Sequence, residues 1–202
     1  MRIFITGTDT NIGKTLVASW LCLHTGYDYV KPIQTGSCEG TDSDTLRHLT
    51  QSIIHPETYV YSPPVSPHLA ASQAGEEINL SQIHLPLSPC LLIEGAGGVL
   101  VPLNRHDLMI DLITYCQAPV ILVTSSRLGT INHTLLSVAA LRQKHIEILG
   151  VIVTGPINQD NCEAIEKYGQ VPILAQLPYL PQVNQETLKA VPLSPVLTKL
   201  LL

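Results

Sequence analysis

The sequence predicts an α/β domain in which helices cover both faces of a mostly parallel central sheet. Short runs of apolar and β-branched residues recur along the chain, and they do not alternate with polar residues. Strands that are buried on both faces have this composition. Segments with a helical pattern separate the runs, and this alternation of strands and helices is typical of a three-layer, doubly wound fold.

Six strands and five longer helices are expected. The strands are predicted at residues 3–5, 29–30, 90–93, 120–123, 148–153 and 172–177, and the helices at residues 16–23, 43–50, 109–115, 130–144 and 160–168. Asp42 or Ser43 is expected to cap the second helix, and Thr130 or Asn132 the fourth. The proline-dense segment 56–67 is expected to be an extended surface loop.

Composition limits the class of protein. The 202 residues, of which 45% are apolar and 13% charged, predict one domain over residues 1–202 with a sizeable core. A net charge of −5 argues against nucleic-acid binding. Five scattered cysteines without a C-x-x-C pair argue against structural zinc. No signal peptide or apolar run of about 20 residues is visible, so a cytoplasmic protein without a membrane span is expected.

The most informative segment is residues 2–15, where a short apolar run leads into a glycine-bounded loop that ends in Gly13, Lys14 and Thr15. Backbone N–H groups in such a loop can surround phosphates, while the lysine supplies positive charge and the threonine hydroxyl binds Mg²⁺. The usual spacing has four residues between the two glycines. Here five residues separate Gly7 from Gly13.

Other polar residues follow the predicted strands, where ligands bind in parallel sheets. Lys31 follows the second strand and could neutralise charge on a transferred phosphoryl group. Glu94, which precedes a glycine-rich stretch, stands where a metal-binding carboxylate is expected. Asp42 and Asp44 lie at a predicted helix start, where capping and Mg²⁺ binding are both reasonable interpretations.

Residues 125–132 lead from the fourth strand into a long helix. Free N–H groups at the start of that helix could hold a carboxylate. Capping by Thr130 and Asn132 would explain the same residues, so the segment alone does not choose between the two.

Taken together, these motifs resemble the dethiobiotin synthetase family of P-loop proteins. The resemblance covers residues 1 to about 180, includes the five-residue spacing of the phosphate loop, and rests on residues 7–15, 31–32, 36–37, 43–44, 66–68, 94–98, 102–103 and 128–133. It implies a P-loop NTPase fold and an ATP-dependent ligase with Mg²⁺ as cofactor. A homodimer is also implied, with the substrate site at the interface.

The implied reaction begins with 7,8-diaminopelargonic acid and CO₂. One amine forms a carbamate, ATP phosphorylates it to a carbamic–phosphoric anhydride, and the second amine closes a cyclic urea. Dethiobiotin, ADP and phosphate are the products. Phosphorylation is needed because a carbamate oxygen is a poor leaving group, and the vicinal amine is already placed for intramolecular attack.

The resemblance also implies a role for each matching residue. Catalysis is assigned to Lys14, Lys31 and Thr10, and magnesium binding to Thr15, Asp44 and Glu94. Nucleotide binding is assigned to Asn11, Ile12, Gly13, Lys14, Thr15, Leu16, Thr154, Gly155, Pro178 and Gln182. Substrate binding is assigned to Lys31, Thr35, Gly95, Ala96, Gly97 and Gly98, and to Gly129, Thr130, Ile131 and Asn132 of the partner subunit.

The sequence departs from the family pattern near the expected base site. Thr154 or Gly155 stands where many members have an asparagine that reads the adenine edge, so selectivity for adenine is not predicted. The main alternative function is a dimeric P-loop ATPase switch that gates partner binding. Such switches usually carry an extra lysine early in the loop, where this chain has Thr8, Asp9 and Thr10. A synthetase with a glutaminase domain would need a longer chain.

Overall fold

The computed structural model describes all of residues 1–202. Its main sheet contains six parallel strands in the order β2-β5-β1-β6-β7-β8, and a second sheet pairs β3 with β4. The strands are β1 (Arg2–Gly7), β2 (Asp28–Val30), β3 (Ile33–Thr35), β4 (Tyr59–Tyr61), β5 (Leu91–Gly98), β6 (Val120–Ser125), β7 (Ile148–Thr154) and β8 (Ile173–Leu177). The central strand β1 therefore lies between β5 and β6, and the loop that follows it lies in the middle of the sheet edge.

Eight α-helices connect and cover the strands. They are α1 (Lys14–Thr25), α2 (Asp42–Leu49), α3 (Pro67–Gln73), α4 (Met109–Cys116), α5 (Thr130–Gln143), α6 (Gln159–Gly169), α7 (Gln185–Lys189) and α8 (Pro195–Leu201). None of them combines the length and apolar character that crossing a bilayer requires.

The sheet separates two apolar cores. On one face, side chains of α1, α2, α7 and α8 pack against β1 residues such as Ile3 and Ile5. On the other face, α3 to α6 pack against Phe4 of the same strand. Because successive side chains of a strand point to opposite faces, the continuous apolar run of β1 supplies both cores.

All six predicted strands and all five predicted helices are present, which confirms the α/β fold class. The proline-dense segment is not only a loop, because Tyr59–Tyr61 forms β4 and pairs in parallel with β3. Strand β5 also runs farther than expected. It continues through Gly98, with a shift in register against β1 between Ile5 and Gly7.

Two predicted helix caps were wrong. Helix α2 is capped by Thr41, whose hydroxyl accepts the Asp44 N–H at 3.0 Å, while the Asp44 carboxylate accepts the Thr41 N–H at 3.1 Å. This reciprocal pair is a capping box, and it starts the helix one residue earlier than Asp42 capping would. Helix α5 is capped by Gly129 at a φ of 97°, a conformation that favours glycine.

Candidate functional site

The loop between β1 and α1 has the backbone conformation of a phosphate-binding turn. Asn11 and Gly13 both have left-handed φ angles, of 53° and 90°. A Cβ on Gly7 would lie 2.5 Å from Ile12 Cδ1 and 3.2 Å from the Asp9 carbonyl oxygen, so the loop folds closely over this glycine. The Lys14 side chain is buried and donates from Nζ to the Asp9 carbonyl at 2.7 Å, so its charge is held inside the loop.

Helices α1 and α2 and strand β5 bring three oxygen-bearing side chains together beside this loop. Thr15 Oγ1 lies 2.9 Å from Asp42 Oδ1 and 2.9 Å from Glu94 Oε1. A hydroxyl has one hydrogen to donate, so it cannot bond both carboxylates at once. Three hard oxygens that converge in this way fit a small divalent cation such as Mg²⁺.

Lys31 completes the cluster. Its Nζ contacts Asp42 Oδ2 and lies 3.2 Å from Glu94 Oε1. The ammonium is buried, and burial alone would lower its pKa, but the charges of Glu94 and Asp42 outweigh that effect and raise the pKa above its ordinary value. The lysine is therefore cationic, and its charge compensates two carboxylates.

The pKa values of Lys14 and Asp42 respond to the same neighbours. Burial lowers the pKa of Lys14 to about 8, and Lys31 adds to that shift while Glu94 opposes it. Burial would raise the pKa of Asp42, but Lys31 outweighs it and lowers the pKa, so Asp42 is ionised. The site thus holds opposite charges in close contact. When a charged ligand binds, a lysine or a carboxylate of the site can replace its internal ion-pair partner with the ligand.

Asp44 is not part of this group, which differs from the predicted metal set. Its carboxylate caps Thr41 and lies 2.6 Å from Arg47 Nη1 on the exposed side of α2. Side chains two positions apart on an α-helix are rotated by about 200° around the helix axis, so they lie on nearly opposite faces. With the helix started by Thr41, Asp42 faces Thr15 and Asp44 faces solvent.

A cavity of about 410 Å³ opens over the cluster. Ten of the predicted site residues line it: Thr10, Asn11, Gly13, Lys14, Thr15, Lys31, Thr35, Glu94, Ala96 and Gly97. Asp42 and Gln34 also line it. The sequence left Asp42 open between capping and Mg²⁺ binding, the resemblance assigned Asp44 instead, and Gln34 was not predicted. Gln34 could have been suspected from its position between Lys31 and Thr35, and its Oε1 accepts the Asp42 N–H at 3.1 Å.

The remaining predicted residues do not line this cavity. Ile12 is buried, and Gly95 packs so closely on Phe4 that a Cβ would lie 2.9 Å from the ring. The lining also does not include Leu16, Gly98, Gly155, Pro178, Gln182 or the segment 129–132. Size alone does not select the site, since a cavity of about 680 Å³ lies beside α2 and contains no lysine.

Thr154, expected near the base, has its hydroxyl inside the protein. Oγ1 donates to the Ile12 carbonyl at 2.6 Å and lies 3.3 Å from the Thr124 carbonyl. A Cβ on Gly13 would lie 3.1 Å from the Thr154 methyl group. The side chain therefore supports the phosphate loop, and its hydroxyl is not directed to a ligand.

Thr130, expected at the substrate carboxylate, is also buried. Its hydroxyl lies 2.9 Å from Thr124 Oγ1, and its N–H donates to the Arg127 carbonyl at 3.0 Å. Asn132 is exposed at the start of α5, and Ile131 is half-buried beside it. Of the predicted anion-binding segment, the Ile131 and Asn132 N–H groups and the Asn132 amide are the parts available to a ligand.

Comparisons with known proteins agree with this geometry. A family model described as an AAA domain matches residues 1–187. The ATP-dependent dethiobiotin synthetase BioD of Lawsonia intracellularis is 59% identical over 99% of this chain and 98% of its own length. The enzyme of the same name from Paramagnetospirillum magneticum is 45% identical over 94% of each chain.

Among solved structures, a ParA family ATPase from Chlorobium tepidum TLS superposes with a TM-score of 0.52. The alignment covers 98% of this chain and 92% of that one at 14% sequence identity, so it supports the fold alone. The full-length matches to the synthetases are far more specific. By these matches, the chain belongs to the ATP-dependent dethiobiotin synthetase family.

Proposed function

We propose that this protein is a dethiobiotin synthetase, an ATP-dependent ligase that carboxylates 7,8-diaminopelargonic acid and closes its ureido ring. The observation that carries the proposal is the convergence of Lys14, Lys31, Thr15 and Glu94 in one cavity. Such a site suits phosphoryl transfer, in which positioning and charge stabilisation do most of the work. The five free cysteines are consistent with action in the cytoplasm.

In the proposed nucleotide site, the N–H groups of the loop from Asn11 to Thr15 surround the phosphates, and Lys14 exchanges the Asp9 carbonyl for a phosphate oxygen. That exchange costs little, because both partners of the 2.7 Å bond find new ones: the ammonium contacts a phosphate oxygen, and the carbonyl accepts from water.

We place residues 1–202 in one domain, because α7 and α8 close the core around α1.

Magnesium fits the donor set formed by Thr15, Asp42 and Glu94. Two carboxylates and a hydroxyl leave room for phosphate oxygens and water, as this ion prefers. When bound, Mg²⁺ would neutralise charge on the phosphates. Lys31 would then be released from part of its pairing with Asp42 and Glu94 and could approach the carbamate oxygen.

Lys31 is the proposed catalytic cation. One amine of the diamine takes up CO₂ and forms a carbamate, which attacks the γ-phosphorus of ATP and expels ADP. The second amine then attacks the carbamoyl carbon, phosphate leaves, and the urea ring closes. Lys31 stabilises the negative charge on the transferred phosphoryl group, while Lys14 holds the phosphates.

We further propose that the enzyme is a homodimer in which the start of α5 from the partner subunit holds the carboxylate of the diamine. The exposed Asn132 and the N–H groups of Ile131 and Asn132 support this role, since no acceptor within the chain pairs with them. An anion at a helix N-terminus is favoured by the free N–H groups and by the helix dipole.

The decisive experiment incubates the purified protein with 7,8-diaminopelargonic acid, bicarbonate, Mg²⁺ and ATP, and detects the cyclic urea by mass spectrometry. One phosphate should be released for each ring closed, and omission of the diamine should stop most hydrolysis. Tight nucleotide binding with no cyclic product would refute the proposal. It would favour the P-loop switch, whose hydrolysis should respond to a protein partner.

A further inference from the structure

A buried tyrosine holds the second oxygen of the Glu94 carboxylate. Tyr29 in β2 has no exposed surface, and its hydroxyl donates to Glu94 Oε2 at 2.9 Å. The other oxygen, Oε1, is the one that lies 2.9 Å from Thr15 Oγ1 and 3.2 Å from Lys31 Nζ. The two oxygens of Glu94 therefore contact different parts of the protein.

The sheet register explains how the tyrosine reaches this carboxylate. In the parallel pairing of β2 with β5, Tyr29 is opposite Leu92, and Glu94 follows two residues after Leu92. Residues two apart on a strand point to the same face, so Tyr29 and Glu94 project to the same side of the sheet. The contact is thus built into the pairing of two strands.

A buried carboxylate needs such a partner. Glu94 is 1% exposed, and an ionised oxygen that is removed from water without a donor is strongly destabilised. The terminal torsion of a glutamate is also soft, so without a fixed donor the carboxylate could rotate away from Thr15. A phenylalanine would fill nearly the same volume in the core. Only the hydroxyl of Tyr29 can donate a hydrogen bond to Glu94, so the hydroxyl is the part of the side chain that matters for the carboxylate.

We propose that Tyr29 is a positioning residue for the magnesium site, and that its hydroxyl orients Glu94 so that Oε1 faces Thr15 and the metal. The inference rests on the proposed function, because it assumes that Glu94 binds Mg²⁺. Tyr29 does not touch the substrates. It acts through Glu94, and its loss should weaken metal binding without removing the phosphate loop.

The test compares Tyr29→Phe with Tyr27→Phe. Tyr27 is also buried and donates its hydroxyl to a protein oxygen, the Leu201 carbonyl, at 3.0 Å, so both variants lose one buried hydrogen bond. Calorimetry measures ADP binding with EDTA and with Mg²⁺. The Mg²⁺ enhancement is the ratio of the ADP affinity with Mg²⁺ to the ADP affinity with EDTA. In Y29F, we expect this ratio to fall about tenfold, as is typical when the hydrogen-bond partner of a metal ligand is removed. ADP binding in EDTA should stay within about twofold of wild type, and Y27F should keep the full enhancement.

An equal Mg²⁺ enhancement in Y29F and Y27F would overturn the inference. A wild-type protein with no enhancement by Mg²⁺ would instead refute the metal site itself, and the inference with it. A second measurement covers the case in which Y29F is too unstable for calorimetry. Adding Y29F to Glu94→Met, which removes the acceptor of the Tyr29 hydroxyl, should lower the thermal unfolding midpoint much less than adding it to wild type. Equal losses in both backgrounds would show that Tyr29 does not act through Glu94.

Discussion

Two groups of polar side chains lie at the same edge of the sheet, and they are built differently. The charged cluster, Lys14, Lys31, Asp42 and Glu94, lines the cavity beside the phosphate loop. The threonine cluster, Thr8, Thr124, Thr130, Thr134 and Thr154, carries no charge and lies between the loop, β6, β7 and α5. The hydroxyls of Thr8, Thr130 and Thr134 lie 2.9 to 3.1 Å from Thr124 Oγ1, and the Thr154 hydroxyl lies 3.3 Å from the Thr124 carbonyl.

This contrast indicates which part of the site can change when a ligand binds. Ion pairs at the wall of a cavity can exchange partners with ligand charges at little cost, because one charge partner replaces another. Buried hydroxyls in a shared network have no such replacement, and they hold their backbone neighbours in place. We therefore expect the charged cluster to govern chemistry and metal binding, and the threonine cluster to govern the shape of the loop and of the α5 start.

The largest effect is expected for Lys31→Ala. Turnover should fall by ~10²-fold or more, because the transferred phosphoryl group loses a buried cation, while nucleotide binding persists in part. Steady-state kinetics and calorimetry measure the two quantities. Lys144→Ala is the control, since that lysine pairs with Asp111 on the surface at 2.9 Å, and it should keep full turnover. Unchanged turnover in K31A would remove Lys31 from the mechanism.

The next effect distinguishes the two aspartates of α2. Asp42→Asn should weaken the Mg²⁺ enhancement of ADP binding by roughly thirtyfold, as expected for loss of an oxygen ligand or its closest support. Asp44→Asn should leave that enhancement unchanged and lower the thermal unfolding midpoint only slightly, because it loses the charge that faces Arg47 while its amide oxygen can still accept the Thr41 N–H. A metal effect in D44N and none in D42N would mean that the start of α2 turns on binding and brings Asp44 into the site.

This pair of residues shows where the sequence was sufficient and where it was not. The apolar runs predicted all six strands of the main sheet, and the position of Glu94 after its run predicted its place in the site. The choice between Asp42 and Asp44 depends on the rotational phase of helix α2, because side chains two positions apart lie about 200° apart around the helix axis. The Thr41-x-x-Asp44 pattern was the signal that could have placed the start.

Other differences had no local signal. Strands β3 and β4 have three residues each, and their pairing depends on where distant segments pack. Thr154 follows an apolar strand as a ligand-binding residue would, and only the packing of the loop shows that its hydroxyl reaches the Ile12 carbonyl. Thr130 lies at a helix start where the sequence left capping and anion binding open, and the resemblance assigned it to the substrate. Both belong to the threonine cluster, which forms across four separate segments.

A smaller effect is expected where the threonine cluster supports the start of α5. Asn132→Ala should raise the KM for the diamine about tenfold, the value of one hydrogen bond to a charged group, and leave the KM for nucleotide unchanged. Gln143→Ala, which removes an exposed amide at the other end of the same helix, should change neither. A larger change in the nucleotide KM than in the diamine KM would place the substrate carboxylate elsewhere.

The smallest effect is expected inside the threonine cluster. Thr154→Val keeps the methyl group against Gly13 and removes the hydroxyl that donates to Ile12, so the loop loses one buried hydrogen bond, worth about 1 kcal/mol. Affinities for ATP, GTP and CTP should fall together by about threefold, because the hydroxyl acts on the loop and not on the base. Thr154→Ser keeps the hydroxyl and should bind all three as wild type does. A loss confined to one nucleotide in T154V would show that Thr154 reads the base, and the two clusters would then share the work of binding.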